Sequence, residues 1–412
     1  MLLKTACNVS PALNYLIGNL NIQSSTGLKY ILNNQLINDR TRLEKELNKV
    51  EKVLLSIKND SSLISNLGIK FCRVRDINGT INNLFNNTIL DDIELFEIKS
   101  FCLLSEEIKD VYRPLNLDVV EIPDLSDVIT ILDPDNSKIP AFFVYDSYSD
   151  ELSSIRKKIN IAISEGNKEE EQQLRFKEEA IEDEIRAKLS QKLFPLSKKI
   201  QTAVTEICKL DVLIAKAQQA YEQNFCKPNI IEENEPTTYK GLYNPQIKDA
   251  LAKNNIKYQA IDITLYKSPC LITGANMSGK TVLLKTIALT QLLTQFGFFV
   301  PAKEASVAIV DEIMICMDES DNDQNGLSSF AAEILKINDI VNSIKGGSNI
   351  LVLVDELART TNPVEGRKIV SATLEFLDKH DIRGLITSHY GDIEYKTRRL
   401  RVKGLEDLPD DT

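Results

Sequence analysis

Residues 271–281 read Leu-Ile-Thr-Gly-Ala-Asn-Met-Ser-Gly-Lys-Thr, and no other stretch of the chain restricts the fold as sharply. Gly274 to Thr281 fit G-x-x-x-x-G-K-[ST], a loop that cradles phosphate groups. Gly274 and Gly279 let backbone N–H groups converge on phosphate oxygens, with Ser278 between them. Lys280 can reach the β- and γ-phosphates as a point charge, and Thr281 can set its hydroxyl on Mg²⁺. Before the loop, Pro269-Cys270-Leu271-Ile272 has the composition of a short buried strand. After it, Val282, Leu283, Ile287, Leu292 and Phe296 fall at helical spacing. A helix starting there adds its partial positive charge at the phosphates. A chance glycine-rich turn would not carry this strand–loop–helix context.

The downstream pattern extends the same architecture. Strands are predicted at 269–273, 306–310, 350–354 and 383–387, alternating with helices at 279–296, 329–343 and 364–379. That alternation describes a parallel α/β sheet around a nucleotide site. The apolar run Ile350 to Val354 ends in Asp355 and Glu356. An apolar strand delivers such acids to the edge of the sheet where ligands sit. Asp355 suits a magnesium contact and Glu356 suits polarising the attacking water. Thr387-Ser388-His389-Tyr390 follows the last predicted strand. His389 is either a sensor of the γ-phosphate or a surface histidine, and its position alone does not choose. His380 reads as a charge at a helix C-terminus. Asp321 to Gly326 imitates the start of a calcium loop, but its twelfth position is Ala332 rather than glutamate, which rules that site out. Ser328 and Ser329 precede a predicted helix, where they can cap it or donate to a phosphate.

The first half of the chain has a different character. Leu36, Leu43, Leu47, Val50, Leu54 and Ile57 mark an amphipathic helix. Leu152, Ile155, Ile159 and Ala162 begin another that stops near Gly166-Asn167. Leu189 to Tyr221 then repeats a 4-3-4-3 spacing, predicting a rod from about Glu178 to Phe225 that Pro195 kinks. Lys168 to Glu184 reads as a solvated hairpin end. Residues 228–240 break every period and read as a linker. The expected division is a helical core-like domain at 1–148, a long helical lever hairpin at 149–228 and a P-loop domain at 229–412. The net charge of −11 disfavours nucleic-acid binding through overall charge, while leaving room for a local basic face. Seven scattered cysteines without C-x-x-C spacing point to a reducing compartment. No run approaches the roughly 18 apolar residues that cross a bilayer, so a cytoplasmic protein without a membrane partner is expected.

Thr273 to Thr281 closely resembles the phosphate loop of the MutS family of ATPases, and Asn276-Met277 is its distinguishing part. Phe299-Val300-Pro301-Ala302 looks like the family's strand after the first helix. Gly326 to Phe330 with Glu333 resembles its signature segment, Asp355 to Thr361 its second acidic motif, and Thr387 to Tyr390 its switch-histidine segment. The resemblance implies a multidomain protein in which a mainly helical core and lever region precedes an α/β P-loop NTPase domain of ABC type. It implies ATP and Mg²⁺ as cofactors. Lys280, Thr281, Asp355, Glu356 and His389 would act in one subunit, and Ser328 and Ser329 would complete the phosphate site of another. Asn276 and Met277 would shape the loop, and Tyr258 falls where the family has an adenine-stacking aromatic.

Departures from the family matter as well. The chain begins at core-like helices and ends soon after the switch histidine, so neither a mismatch-reading domain nor a C-terminal helix-turn-helix is expected. Asn244 stands where the family commonly has histidine. Phe176-Lys177-Glu178 imitates the family's mismatch wedge but lies in the charged hairpin. Two targets follow from the resemblance. One is DNA, engaged by lever arms through a basic face at Lys188, Lys192, Lys198 and Lys199, in a homodimer or a heterodimer with a MutS-like paralogue. The other is a client enzyme, such as a cobalamin-dependent aminomutase that a short MutS-like protein would reactivate.

Overall fold

The computed structural model describes residues 1–275, 278–317, 329–359, 361–390 and 392–402, with the side chains of 329–333 excepted. The chain forms two compact units, one of residues 21–32 and 52–217, the other of 1–20, 33–51 and 218–412. The division falls inside two helices, α4 (Arg40–Asn59) and α11 (Ser197–Gln223).

The first three helices are α1 (Leu3–Val9), α2 (Pro11–Gly18) and α3 (Ser25–Leu32). The helical unit takes α3 and adds α5 (Ser61–Phe71), α6 (Asn78–Phe85), α7 (Asp92–Tyr112), α8 (Ser126–Leu132), α9 (Asp150–Glu165) and α10 (Lys168–Leu193). Buried Asp211, on α11, accepts from the backbone N–H groups of Gln23 and Ser24 at 3.1 and 2.9 Å, just ahead of α3. Asp91 and Glu94 close a capping box at the start of α7.

The turn between α9 and α10 is written locally. Gly166 adopts φ 70°, a left-handed conformation that ends α9. Asn167 then caps α10, whose first turn carries Glu169, Glu170 and Glu171 against the positive end of the helix dipole. Lys168 to Glu184, expected as the solvated end of a hairpin, forms the first part of α10, the arm that folds back along α9. Ile155, Ile159, Ala162 and Leu174 form the apolar seam of the pair. Arg156 fastens it through Glu178 and Glu182 at 2.8 and 2.7 Å. The rod expected from about Glu178 to Phe225 is interrupted at Pro195, where the kink was expected. α10 stops at Leu193, a 3₁₀ turn covers Phe194–Leu196, and α11 begins at Ser197. Proline has no N–H and its ring clashes with the preceding turn, which accounts for the break.

In the α/β unit the chain passes through β1 (Asn229–Ile231), β2 (Thr237–Leu242), α12 (Pro245–Ala252), β3 (Ile261–Leu265), β4 (Pro269–Thr273), α13 (Lys280–Gln295), β5 (Glu304–Ala308), β6 (Glu312–Cys316), α14 (Ser329–Lys345), β7 (Ile350–Val354), α15 (Pro363–Lys379), β8 (Arg383–Thr387) and β9 (Arg398–Arg401). Among the described residues, one sheet is parallel throughout in the order β6-β7-β8-β4-β9. The other, β1-β5-β2-β3, mixes directions. The strand expected at 306–310 is β5, and it belongs to this second sheet, pairing antiparallel with β2. β7 is buried along its whole length, as a strand covered on both faces must be. Leu3 donates its N–H to Asn34 O at 2.9 Å, and residues 33–38 reach the end of α13 through Gln295.

Candidate nucleotide site

β4 ends at Thr273, and the chain turns at Gly274 and Gly279 before α13 begins at Lys280. Both glycines have positive φ, 157° and 97°. A Cβ at Gly274 would lie 2.9 Å from Val402 O and 2.8 Å from Ser278 Oγ, so β9 and the loop leave room for no side chain there. Val402 N–H also donates to Thr273 O at 3.0 Å, which props the start of the loop. Lys280 is 5% exposed, and its Nζ donates to Gly274 O and Ala275 O, both at 2.9 Å. The ammonium is thereby curled into the loop it serves. Ser278 Oγ is buried without a hydrogen-bond partner among the described residues.

The acidic pair stands at the tip of β7, with β8 between it and β4. Thr281 Oγ1 donates to Asp355 Oδ2 at 2.6 Å, joining the loop to the acid. Thr387, the last residue of β8, does the rest. Its hydroxyl donates to Asp355 Oδ1 at 2.6 Å and accepts the Glu356 N–H at 2.7 Å. Asp355 N–H is held by Cys316 O at 2.8 Å. Glu356 and Ala358 have φ of 46° and 62°, left-handed values that a non-glycine residue adopts at some cost. Glu356 Oε2 pairs with Arg359 at 3.0 Å. Sequence reasoning took Thr387 only as part of a histidine segment. The signal for its role was a hydroxyl closing a strand directly after the apolar pair Leu385-Ile386.

His389 is exposed and its ring lies against Tyr390, centroids 4.0 Å apart. Tyr390 is buried and donates to Ala358 O at 2.9 Å, fastening the turn after β7 to the segment after β8. Tyr258 is half-buried and lines a cleft of about 530 Å³ with Tyr243, Lys248 and Lys303. No described residue of the phosphate loop lines that cleft. Asn244 is buried and caps α12 by accepting from Ile247 N–H at 3.3 Å. Asn276, Met277 and Ser328 lie outside the described residues, as do the side chain of Ser329 and the segment Asp321 to Gly326.

The donor set suits a magnesium–nucleotide group. Lys280 and the orphaned Ser278 hydroxyl can serve phosphate oxygens, while Thr281 and Asp355 supply hard oxygens. Magnesium prefers such a site, with one or two protein oxygens plus phosphate and water. A glycine loop between a buried parallel strand and a helix, facing an acidic strand tip, defines a P-loop nucleotide-binding domain. Residues 270–405 match the family model described as MutS domain V. Over these residues the chain is similar to the MutS family. The DNA mismatch repair protein MutS of Bacteroides fragilis is 35% identical over 219 residues, covering 52% of this chain and 25% of that protein. Its counterpart in Alkaliphilus metalliredigens is 33% identical over 214 residues, 51% of this chain and 23% of that protein. That of Christiangramia forsetii is 34% identical over 239 residues, 56% and 27%. The chain thus spans about a quarter of the length of the curated relatives it matches.

Proposed function

We propose that this chain is a MutS-type ATPase that couples binding and hydrolysis of ATP to movement of its long helices. The observation carrying this reading is the run of hydrogen bonds from Thr281 through Asp355 and Thr387 to Glu356 N–H. It supports the reading because it links the loop residue Thr281 to Asp355 and to the backbone of Glu356, the residues that would bind the cation and act as the base. In this reading Lys280, Ser278 and the loop N–H groups bind the phosphates. Thr281 and Asp355 hold Mg²⁺, which neutralises charge on the phosphate oxygens. Glu356 accepts the proton of the water that attacks the γ-phosphorus, and the β–γ oxygen leaves with ADP. His389 contacts the γ-phosphate, and Tyr258 stacks on the base. Ser328 and Ser329 act across a dimer of identical or paralogous subunits. The active species is then the dimer, with residues 1–148, 149–228 and 229–412 as its core, lever and motor.

The test is steady-state ATP hydrolysis by wild type and Glu356→Gln over a dilution series. The expected result is a fall of roughly 10²–10⁴-fold in the variant, with a wild-type rate per subunit that declines on dilution. Equal rates in the two proteins would remove Glu356 as the base. A dilution-independent rate from a demonstrated monomer would remove the composite site.

The target divides into two readings. DNA engagement follows the relatives, which are named as DNA mismatch repair proteins. A protein client is favoured by the lever lysines, because Lys199 pairs with Asp127 at 2.7 Å and Lys188 with Glu184 at 3.6 Å. Those pairs reduce the free positive charge that phosphate binding needs. Fluorescence anisotropy with duplex and branched DNA at low salt separates them. Binding that weakens steeply with salt supports DNA, and none with or without ATP leaves the client.

A further inference from the structure

In the helical unit, the segment between α8 and α9 displays a run of apolar residues to solvent. Ile139 and Phe143 are 59% and 56% exposed, Pro140 and Ala141 between them are exposed, and Phe142 is half-buried. Apolar side chains scattered singly over a surface are ordinary, but a contiguous run of them is not. The segment is also fastened at both ends. On its N-terminal side the buried Asp133 carboxylate accepts from Ser137 Oγ at 2.7 Å and from Lys138 N–H at 2.8 Å. The same carboxylate meets the buried Lys99 ammonium at 2.9 Å, and Lys99 also donates to Tyr145 Oη at 2.7 Å. On the C-terminal side Tyr145 donates to Ala141 O at 3.2 Å, and Arg156 of α9 donates to Val144 O at 2.8 Å. The Phe143 ring leans on the Tyr145 ring, centroids 4.3 Å apart, and Phe142 meets Tyr145 edge-on at 6.1 Å.

A buried lysine–carboxylate pair is weak evidence for stability, because desolvating the two charges offsets most of what their attraction returns. What this pair does fix is the course of the loop. A loop held in this way loses little conformational entropy when a partner covers it, which is what a small apolar patch needs in order to bind. The charges around it restrict the partner. Among the exposed charged residues within eight positions of the segment on either side, Asp135, Asp146, Asp150 and Glu151 are acidic and Lys138 is basic. Arg156 does not reverse that sign, since its one guanidinium is shared by Asp146, Glu178 and Glu182. A negative rim repels nucleic acid and anionic lipid headgroups, and it attracts lysine and arginine. We propose that Ile139 to Phe143 is a docking element for a second protein, one that offers an apolar cleft rimmed by lysine or arginine. Phe143 is its anchor, with Ile139 beside it. The surface belongs to the helical unit and does not rest on the ATPase reading, so either can fail without the other.

Fluorescence anisotropy of the full chain with a labelled amphipathic peptide built of leucine and lysine tests the proposal, a leucine–glutamate peptide of the same pattern being the control. The lysine peptide should bind and the glutamate peptide should not. The double variant Ile139→Ser, Phe143→Ser should weaken binding by at least about tenfold. Both positions are exposed, so its urea midpoint should match that of wild type. Undiminished binding by the double variant would reduce the attraction to the net charge of the chain and overturn the proposal, as would equal binding of the two peptides or binding of neither. Sedimentation velocity should show the same oligomeric state for both proteins. Self-association that the double variant loses would assign the patch to a second copy of this chain and overturn the proposal too. Should the double variant fail to fold, photo-crosslinking decides independently. Benzoylphenylalanine in place of Phe143 should capture the lysine peptide, and in place of Phe176, also exposed, it should not. No capture at position 143, or equal capture at both, would sink the idea.

Discussion

Thr387 shows how one hydroxyl can organise two more conspicuous neighbours, Asp355 and Glu356. It both donates to Asp355 and accepts from the Glu356 N–H, so neither acid is oriented by its own strand alone. Thr387→Val keeps the shape and removes both bonds. The ATPase rate is expected to fall about 10–100-fold, as for other residues supporting a metal ligand, while Thr387→Ser stays within a few-fold of wild type. Single-turnover rates alongside nucleotide affinity check this, because a purely structural role would lower both together. Gly366 carries a second residue-scale expectation. A Cβ there would overlap the Tyr390 ring, 2.7 Å from Cζ. Gly366→Ala should cost about 1–3 kcal/mol and loosen the bond from Tyr390 to Ala358 O, read as a lower urea midpoint with an unchanged slope.

Elements of the helical unit are joined by buried polar groups as well as by apolar seams. Lys99 of α7 and Asp133, just past α8, are both wholly buried and meet at 2.9 Å. Tyr145 receives a second bond from Lys99 at 2.7 Å. Burial pushes the Asp133 carboxyl up, but Ser137, the Lys138 N–H and Lys99 outweigh it and leave the pKa at about 2. The folded value lies below the unfolded value of about 3.9. The stabilisation is therefore complete above pH 4 and is lost as pH falls toward 2. Asp133→Asn leaves the Lys99 charge buried and should cost about 3–5 kcal/mol near neutrality. Urea unfolding of both proteins should show that gap narrowing between pH 4 and pH 2. A constant gap would mean that Asp133 does not titrate in that window.

For the molecule as a whole, α4 and α11 each carry residues of both compact units. The segment before α4 is tied to the phosphate-loop helix. Gln295 Nε2 donates to Ile37 O, Asn38 Oδ1 and Val310 O at 3.3, 3.2 and 2.8 Å, and Ile37 N–H donates to Gln295 O at 2.8 Å. If ATP moves the long helices, this junction belongs to the route. Hydrogen exchange of Glu356→Gln with and without ATP should show protection at residues 269–281 and altered exchange at 150–193. Gln295→Ala should keep the first response and weaken the second. A response confined to residues 269–281 in the parent protein would count against the lever.

Much of this protein was legible in local sequence because local rules wrote it. The loop of Gly274 to Thr281, the apolar strand before Asp355 and the Gly166-Asn167 turn depend on neighbours a few residues apart. Backbone freedom, periodicity and capping act over that range. β6, β9 and the second sheet were not legible. Glu312–Cys316 and Arg398–Arg401 are short and become strands by pairing with β7 and β4. The role of Thr387 depends on β8 lying between β4 and β7, and the exclusion of a side chain at Gly274 depends on Val402. The sequence by itself determined which candidate groups the chain brings to the site, since a glycine loop and an acidic strand tip are local signals. Only the tertiary structure decided how those groups are held, because hydrogen bonds from Thr281, Thr387 and Tyr390 join residues about 30 to 75 positions apart, a separation across which periodicity and local propensity carry no information.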